Sequence, residues 1–140
     1  MGLTYSTETL EDNSGEIFKI MSYNVEWGFL NVPKDIHNDS CGHIIPGTKI
    51  SSENHLTLIS KNIGLILPDI CFLQEMGSKN AVDFICDKIF VLFGQKYSPY
   101  YCNKDEQGYQ GVGLLIREDI DTNCTVENIP NFKLNRALGI

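Results

Sequence analysis

The chain has 140 residues, of which 42% are hydrophobic and 21% charged, a composition typical of one soluble globular domain. This composition excludes the collagenous, coiled-coil and disordered classes. The 11 basic and 18 acidic residues give a net charge of −7, which argues against a stand-alone DNA-binding module because phosphate binding needs clustered Lys and Arg. An enzyme that holds phosphate through divalent cations is compatible with this charge, since such a site uses carboxylates.

The apolar runs are too short to span a bilayer, and the N-terminus lacks the basic and apolar regions of a secretory signal. We therefore expect an intracellular protein, in the cytoplasm or nucleus, without stable membrane association. The five cysteines have no paired spacing and are expected to be buried and reduced. A zinc module built on Cys41 and His43 with His37 and His55 is an alternative, although the paired ligand spacing of such modules is missing.

The first elements in chain order are a lead-in, a strand and a loop. Residues 1–16 are polar and show no periodicity, which predicts a flexible N-terminal lead-in. Residues 17–25 are apolar on both faces, as in a central strand. Pro, Gly and polar clusters predict a loop from residue 28 to 52, and a loop of that length is usually functional or mobile.

Helices and strands alternate after this loop. A helix capped by Ser51 or Ser52 is predicted to run to Pro68, with apolar positions at three- and four-residue spacing. The next predicted elements are a strand at 70–75, a helix at 79–93 stopped by Gly94, and strands at 97–103, 111–117, 125–129 and 136–140. This order predicts an α/β fold with a mixed sheet flanked by helices. The last segment reads as the opening of a strand, so we expect the fold to continue beyond it.

Polar side chains lie at the ends of three of these apolar strands. Asn24 and Glu26 are at the end of the first strand, Glu75 is at the end of the second, and Tyr109 lies in a glycine-containing turn before the strand at 111–117. The ends of parallel or mixed strands often form a functional crevice. A carboxylate directly after a buried strand requires water, a partner or a metal.

Three segments resemble a known family. Residues 18–26 (FKIMSYNVE), 67–75 (LPDICFLQE) and 108–115 (GYQGVGLL) are similar, in order and rough spacing, to the first three signature blocks of the endonuclease/exonuclease/phosphatase superfamily. The third block is most similar to that of exonuclease III-type abasic-site endonucleases. The resemblance implies a four-layer α/β sandwich of mixed sheets flanked by helices, with residues 17–140 as its N-terminal half. It also implies a phosphodiester hydrolase that uses Mg²⁺ or Mn²⁺ and commonly acts on nucleic acid.

The resemblance also implies roles for individual residues. Glu75 matches the principal metal-ligand carboxylate, and Glu26 falls where many members carry an acidic residue near the metal. Asn24 matches the active-site amide that orients the phosphate, and Tyr109 matches a phosphate-contacting tyrosine. Arg136 matches a basic, substrate-binding residue found in some members.

The sequence departs from the family pattern in its second half. Family members carry an Asp-x-Asn element and a closing Asp-His pair in their second half, and this sequence ends before either of them. His37, His43 and His55 are predicted to lie between the first strand and the first helix, where none replaces the closing histidine. We therefore expect one side of an active site, and no nuclease activity from these 140 residues alone. A C-terminal half or another chain would cover the exposed sheet. The alternative is a non-catalytic remnant or a partner-binding fragment of the fold.

Overall fold

The computed structural model describes residues 4–30, 49–103 and 111–121. These residues form five strands and three helices. The elements in chain order are β1 (Thr4–Glu11), β2 (Ile17–Gly28), α1 (Lys49–Ile66), β3 (Ile70–Met76), α2 (Lys79–Phe93), β4 (Tyr97–Cys102), β5 (Gly111–Arg117) and α3 (Glu118–Asp121).

The strands form one mixed sheet in the order β1-β2-β3-β5-β4. The chain passes from β2 through α1 to β3, and these two strands are parallel, whereas the other three neighbouring pairs are antiparallel. A parallel pair needs a long crossover, and here α1 provides it. The predicted mixed α/β sheet flanked by helices is therefore confirmed, and the architecture is consistent with an α/β sandwich.

The core lies between α1 and α2 and one face of the sheet. Side chains alternate between the two faces of a strand, so Met21, Tyr23 and Val25 of β2 share the face that also carries Leu73 of β3 and Leu115 of β5. All five side chains are fully buried. They pack in one cluster with apolar side chains of the two helices, namely Leu56, Ile59 and Ile63 of α1 and Ala81, Val82, Ile85 and Ile89 of α2.

The opposite face of the sheet is only partly covered. Phe72, in the middle of β3, is 41% exposed there. The pairing register places it beside side chains of the neighbouring strands on the same face, among them Ser22 and Leu114. Neither α1 nor α2 packs on this face, because both belong to the core cluster on the other side.

The second helix has the boundaries that its sequence predicts. Ser78 caps its N-terminus by accepting a hydrogen bond from the Ala81 N–H at 3.2 Å. Gly94 ends the helix in the left-handed conformation, with φ 74°, and its N–H donates to the Phe90 carbonyl at 2.8 Å. A glycine is favoured at this position because it has no Cβ to oppose a positive φ.

The N-terminal lead-in predicted for residues 1–16 is wrong for residues 4–11. These residues form β1, which pairs antiparallel with β2 from Thr4 opposite Asn24 to Glu11 opposite Ile17. The strand is polar and exposed along its whole length, so it has no hydrophobic periodicity that the sequence could reveal. Its backbone hydrogen bonds with β2 hold it in the sheet.

The first helix begins earlier than predicted. It starts at Lys49, so Ser52 lies in its first turn instead of capping it. Within the described part of the chain, the buried Ser52 hydroxyl has no hydrogen-bond partner. The predicted position of His55 before the first helix is also wrong, because His55 lies inside α1.

Several sequence predictions fall outside the described residues. These are most of the 28–52 loop, the glycine-containing turn before the strand at 111–117, the strands at 125–129 and 136–140, and the residues Cys41, Cys124, Tyr109 and Arg136. The continuation of the domain to residue 140 stays a prediction. Among the described residues, no helix combines the length and the apolar character needed to cross a membrane.

The cysteines of the described ranges behave as the sequence predicts. Cys71 and Cys86 are buried free thiols, and Cys102 is a half-buried one. Burial raises the pKa of the Cys86 thiol to about 12 and also raises the pKa of Cys71, since a thiolate would lose its hydration there. Both thiols therefore act as small apolar side chains in the core.

Asp69 joins three strands at the edge where β3 begins. Its side chain is almost fully buried; Oδ2 accepts from the Lys19 N–H of β2 at 2.6 Å, and Oδ1 pairs with the Arg117 guanidinium of β5. Its backbone also contributes, because the Asp69 N–H donates to Lys19 O at 2.7 Å and the Asp69 carbonyl accepts from the Arg117 N–H at 2.9 Å. This residue thereby fixes the register of β2, β3 and β5 at their common end.

We predict that Asp69→Ala lowers the free energy of unfolding by about 2 kcal/mol, since it removes the almost fully buried carboxylate that accepts from the Lys19 N–H and pairs with Arg117. Urea denaturation followed by far-UV circular dichroism measures this loss. The control is Asp83→Ala on α2, which removes an exposed ion pair with Lys79 and should cost about 0.3 kcal/mol. Equal losses in the two variants would contradict a special role for Asp69.

Candidate functional site

The candidate site lies where the parallel strands β2 and β3 end. Parallel neighbours have their carboxyl ends at the same edge of the sheet, so residues far apart in sequence meet there. In the observed register, Asn24 lies opposite Gln74. Asn24 and Glu75, the polar residues predicted at the ends of these strands, are therefore neighbours in space although 51 positions separate them.

A bulge at the end of β3 determines the direction of the Glu75 side chain. The pairing of β3 with β5 shifts between Gln74 and Met76, and Glu75 has a φ of 62°. Regular alternation would direct Glu75 to the same side as the buried Leu73. The bulge instead turns its carboxylate toward Asn24, whose Nδ2 donates to Glu75 Oε1 at 3.1 Å.

A second irregularity lies opposite, at the end of β2. The pairing of β2 with β3 shifts between Asn24 and Gly28, and both Glu26 and Trp27 have positive φ values, of 48° and 66°. The Glu26 N–H donates to Asn24 Oδ1 at 3.0 Å. The amide of Asn24 therefore connects the two strand ends, because it accepts from the β2 turn and donates to the β3 carboxylate.

Left-handed backbone at a residue other than glycine costs about 1 kcal/mol or more. Three such residues, Glu26, Trp27 and Glu75, lie at this one edge of the sheet. Strained conformations of this kind persist only where the surrounding contacts maintain them, and they cluster at functional sites.

Histidine 55 joins the site from α1. Its Nε2 lies 2.8 Å from the Val25 carbonyl oxygen and 3.1 Å from the Glu26 carbonyl oxygen. The sequence patterns indicate no role for His55 at this site. The signal that could have revealed it is its spacing of four residues from Ile59, which places both on the helix face that packs on the sheet.

Two aromatic residues close the turn. Trp27 and Phe29 stack with ring centroids 5.9 Å apart, and Phe29 is buried. Gly77 approaches Phe29 so closely that a Cβ on it would lie 2.1 Å from Phe29 Cδ1, and the Gly77 N–H donates to Gly28 O at 2.8 Å. Phe29 therefore anchors the turn to the core, while Trp27 lies half-buried above it.

The structure brings together some of the predicted site residues. Asn24 and Glu75 are hydrogen-bonded, and Glu26 joins them through its main chain. Tyr109 and Arg136 lie outside the described residues, so their predicted roles stay predictions. In the described ranges no group of three or more His, Cys, Asp or Glu side chains is arranged to hold a metal.

The arrangement can still hold one kind of cation. Mg²⁺ retains several waters and typically takes one or two protein carboxylates together with substrate phosphate. The half-buried Glu75 carboxylate, oriented by an amide and held at the sheet edge, fits that requirement. A structural zinc site would need four protein ligands. His55 cannot supply one through Nε2, since that atom must carry a proton to bond two carbonyl oxygens.

Comparison with known proteins gives a limited similarity. No protein-family model matches the chain, and no curated protein matches it. Two solved structures of TDP2 from Caenorhabditis elegans, one of them the selenomethionine form, are similar at 25% identity and a TM-score of 0.36. The match covers 51% of this chain and 19% of the TDP2 chain. TDP2 is tyrosyl-DNA phosphodiesterase 2, a member of the endonuclease/exonuclease/phosphatase superfamily.

We predict that Asn24→Ala lowers the free energy of unfolding by about 1–3 kcal/mol, because the Glu26 N–H and the Glu75 carboxylate both lose their partner. Thermal or urea denaturation measures the loss. The control is Asn54→Ala, at an exposed position of α1, where a change within about 0.5 kcal/mol is expected. A stability equal to that of the wild type in Asn24→Ala would show that the amide does not hold the two strand ends together.

Proposed function

We propose that the edge formed by β2 and β3 is one side of the active site of a divalent-metal-dependent phosphodiester hydrolase that acts on nucleic acid. The observation that carries this proposal is the Glu75 carboxylate, which a strained bulge turns away from the core side and the Asn24 amide holds at the sheet edge. A carboxylate maintained at such a cost in backbone strain is more readily explained by a ligand than by packing.

Glu75 is the residue that would hold Mg²⁺ or Mn²⁺ in this proposal. Glu26 is a second candidate, because its backbone is tied to the same amide. When bound, such a cation neutralises negative charge on phosphoryl oxygens and lowers the pKa of a bound water. A carboxylate–cation pair also suits a chain of net charge −7, since a polyanionic substrate would otherwise be repelled.

The Asn24 amide has its orientation set by its two contacts. Its Oδ1 accepts from the Glu26 N–H, so this oxygen faces the β2 turn, and one hydrogen of Nδ2 is directed to Glu75. The second Nδ2 hydrogen is available to donate to a phosphate oxygen beside the carboxylate. We propose this as the way in which Asn24 orients the substrate.

Two further residues complete the proposal. Tyr109 would donate a hydrogen bond from its hydroxyl group to a phosphate oxygen, and Arg136 would pair with the charged substrate. Both roles come from the sequence resemblance alone. They predict that a substrate approaches from the strand-end edge, where Asn24 and Glu75 meet.

We predict that the purified 140-residue chain binds Mn²⁺, and that Glu75→Gln weakens this binding at least about tenfold, because the neutral amide removes the anionic ligand. Electron paramagnetic resonance of free Mn²⁺ during a titration measures the affinity. Glu8→Gln is the matched control, since Glu8 is an exposed carboxylate in the middle of β1, and it should keep the wild-type affinity. Equal affinities in wild type and Glu75→Gln would rule out Glu75 as the metal ligand.

The 140-residue chain carries only one side of the proposed active site. These 140 residues end before the positions where family members carry their second-half Asp-x-Asn and Asp-His elements, so we expect no hydrolysis of a model phosphodiester by the pure 140-residue chain with Mn²⁺. Release of p-nitrophenol from bis(p-nitrophenyl) phosphate measures this. Metal-dependent turnover that disappears in Glu75→Gln would show that these residues suffice for catalysis.

The alternative function is a non-catalytic fragment that binds a partner. The observation that favours it is the sheet face opposite α1 and α2, where Phe72 is 41% exposed and neither of these two helices packs. An apolar sheet face of this kind is either an interface or a cause of aggregation. Strong binding of a hydrophobic dye and self-association, together with Mn²⁺ binding that is insensitive to Glu75→Gln, would favour this alternative over the hydrolase.

A further inference from the structure

The turn at the end of β2 is held by more than the Asn24 amide. The left-handed residues Glu26 and Trp27 reverse the chain, and the Phe29 N–H closes the turn by donating to Trp27 O at 2.9 Å. Neither contact holds the carbonyl groups of Val25 and Glu26. The Val25 carbonyl directly precedes the turn, and the Glu26 carbonyl lies within it. The directions of these two carbonyl groups determine where the Glu26 N–H points, and therefore how the Asn24 side chain that accepts from it is held.

Histidine 55 meets both of these carbonyl groups with one atom. The Nε2 distances, 2.8 Å to Val25 O and 3.1 Å to Glu26 O, are both within hydrogen-bond range. A carbonyl oxygen can only accept, so Nε2 must carry the proton and donate to both. The ring thereby brings together two successive carbonyl groups that would alternate in direction along a regular strand.

The base of this contact is rigid. His55 lies in α1 next to Leu56 and one turn before Ile59. Both of these side chains are fully buried in the core against the sheet, so this part of the helix is held in place. A side chain from a packed helix can maintain strained backbone in a neighbouring strand, whereas an exposed side chain of the turn itself could not.

We propose that His55 is a positioning residue, which fixes the left-handed turn at Glu26 and Trp27 and through it the Asn24–Glu75 pair. The expected effect of His55 on metal binding rests on the proposed function. Its expected effect on the structure of the turn does not. His55 acts through the backbone and the Asn24 amide, and Nε2 is not a metal ligand because, as an N–H nitrogen, it has no lone pair in the ring plane to offer a metal. The contact resembles the supporting hydrogen bonds that orient metal ligands in other sites.

The single tryptophan of the chain is part of this turn, so its fluorescence reports on the turn directly. The experiment compares the metal-free wild type with two variants. His55→Leu fills the space with an apolar side chain but removes the donor, and His55→Gln has an Nε2 that can still donate to a carbonyl. We expect His55→Leu to shift the Trp27 emission to longer wavelength and to raise its acrylamide quenching constant about twofold. His55→Gln should restore most of the wild-type signal.

The metal arm of the experiment measures Mn²⁺ affinity in the same variants. We expect His55→Leu to weaken binding about tenfold and His55→Gln to stay within about threefold of wild type, as is typical when a supporting hydrogen bond is lost or kept. The matched control is Ser60→Ala on the same helix, which removes a buried hydrogen bond to Leu56 O and leaves the turn alone. It should keep both the Trp27 signal and the affinity.

The outcomes separate this inference from the proposed function. A folded His55→Leu protein with wild-type Trp27 emission and quenching would overturn the positioning role, whatever the metal does. If Glu75→Gln does not weaken Mn²⁺ binding, the proposed function fails, and the metal-free fluorescence still decides the role of His55. Should His55→Leu lose its far-UV circular dichroism, His55→Asn replaces it: its shorter amide does not reach both carbonyls, so wild-type fluorescence in that variant would overturn the proposal.

Discussion

The parallel pairing of β2 with β3 is the constraint on which the rest of the structure depends. It requires α1 as the crossover, and this helix together with α2 then covers one face of the sheet with a single apolar core. It also brings the carboxyl ends of two strands to one edge. Asn24 and Glu75 meet there only because the strands run in the same direction; in an antiparallel pair these two strand ends would lie at opposite edges.

The two ends of β3 serve different purposes. At its beginning, the buried Asp69 makes regular hydrogen bonds and an ion pair that fix the register of three strands. At its end, the regular register is lost on both sides, and Glu75 adopts a left-handed conformation. A sheet with a well-fixed register at one end can tolerate strain at the other. The chemistry that we propose is located at the strained end.

Much of the fold was predictable because hydrophobic periodicity is a local property. The apolar stripe of α2, its Ser78 cap and its Gly94 stop lie within one short segment, and the structure reproduces these boundaries. The strand β1 was not predictable, because its polar, exposed residues show no alternation and its hydrogen bonds depend on β2. Local sequence reports which face of an element is buried, but it does not report a pairing that rests mainly on backbone hydrogen bonds to a distant strand.

The candidate site also combines features that the local sequence shows with contacts that depend on distant segments. The sequence by itself placed Asn24, Glu26 and Glu75 at the ends of apolar strands, and the resemblance to a family gave them expected roles. Only the tertiary structure decided that Asn24 donates to Glu75, that Glu26 contributes through its main chain, and that His55 bonds the β2 turn. The physical reason is that apolar periodicity and the ends of strands depend on consecutive residues, which the sequence shows directly. Hydrogen bonds between distant segments, and the left-handed backbone that directs them, depend on how the packed elements meet in space.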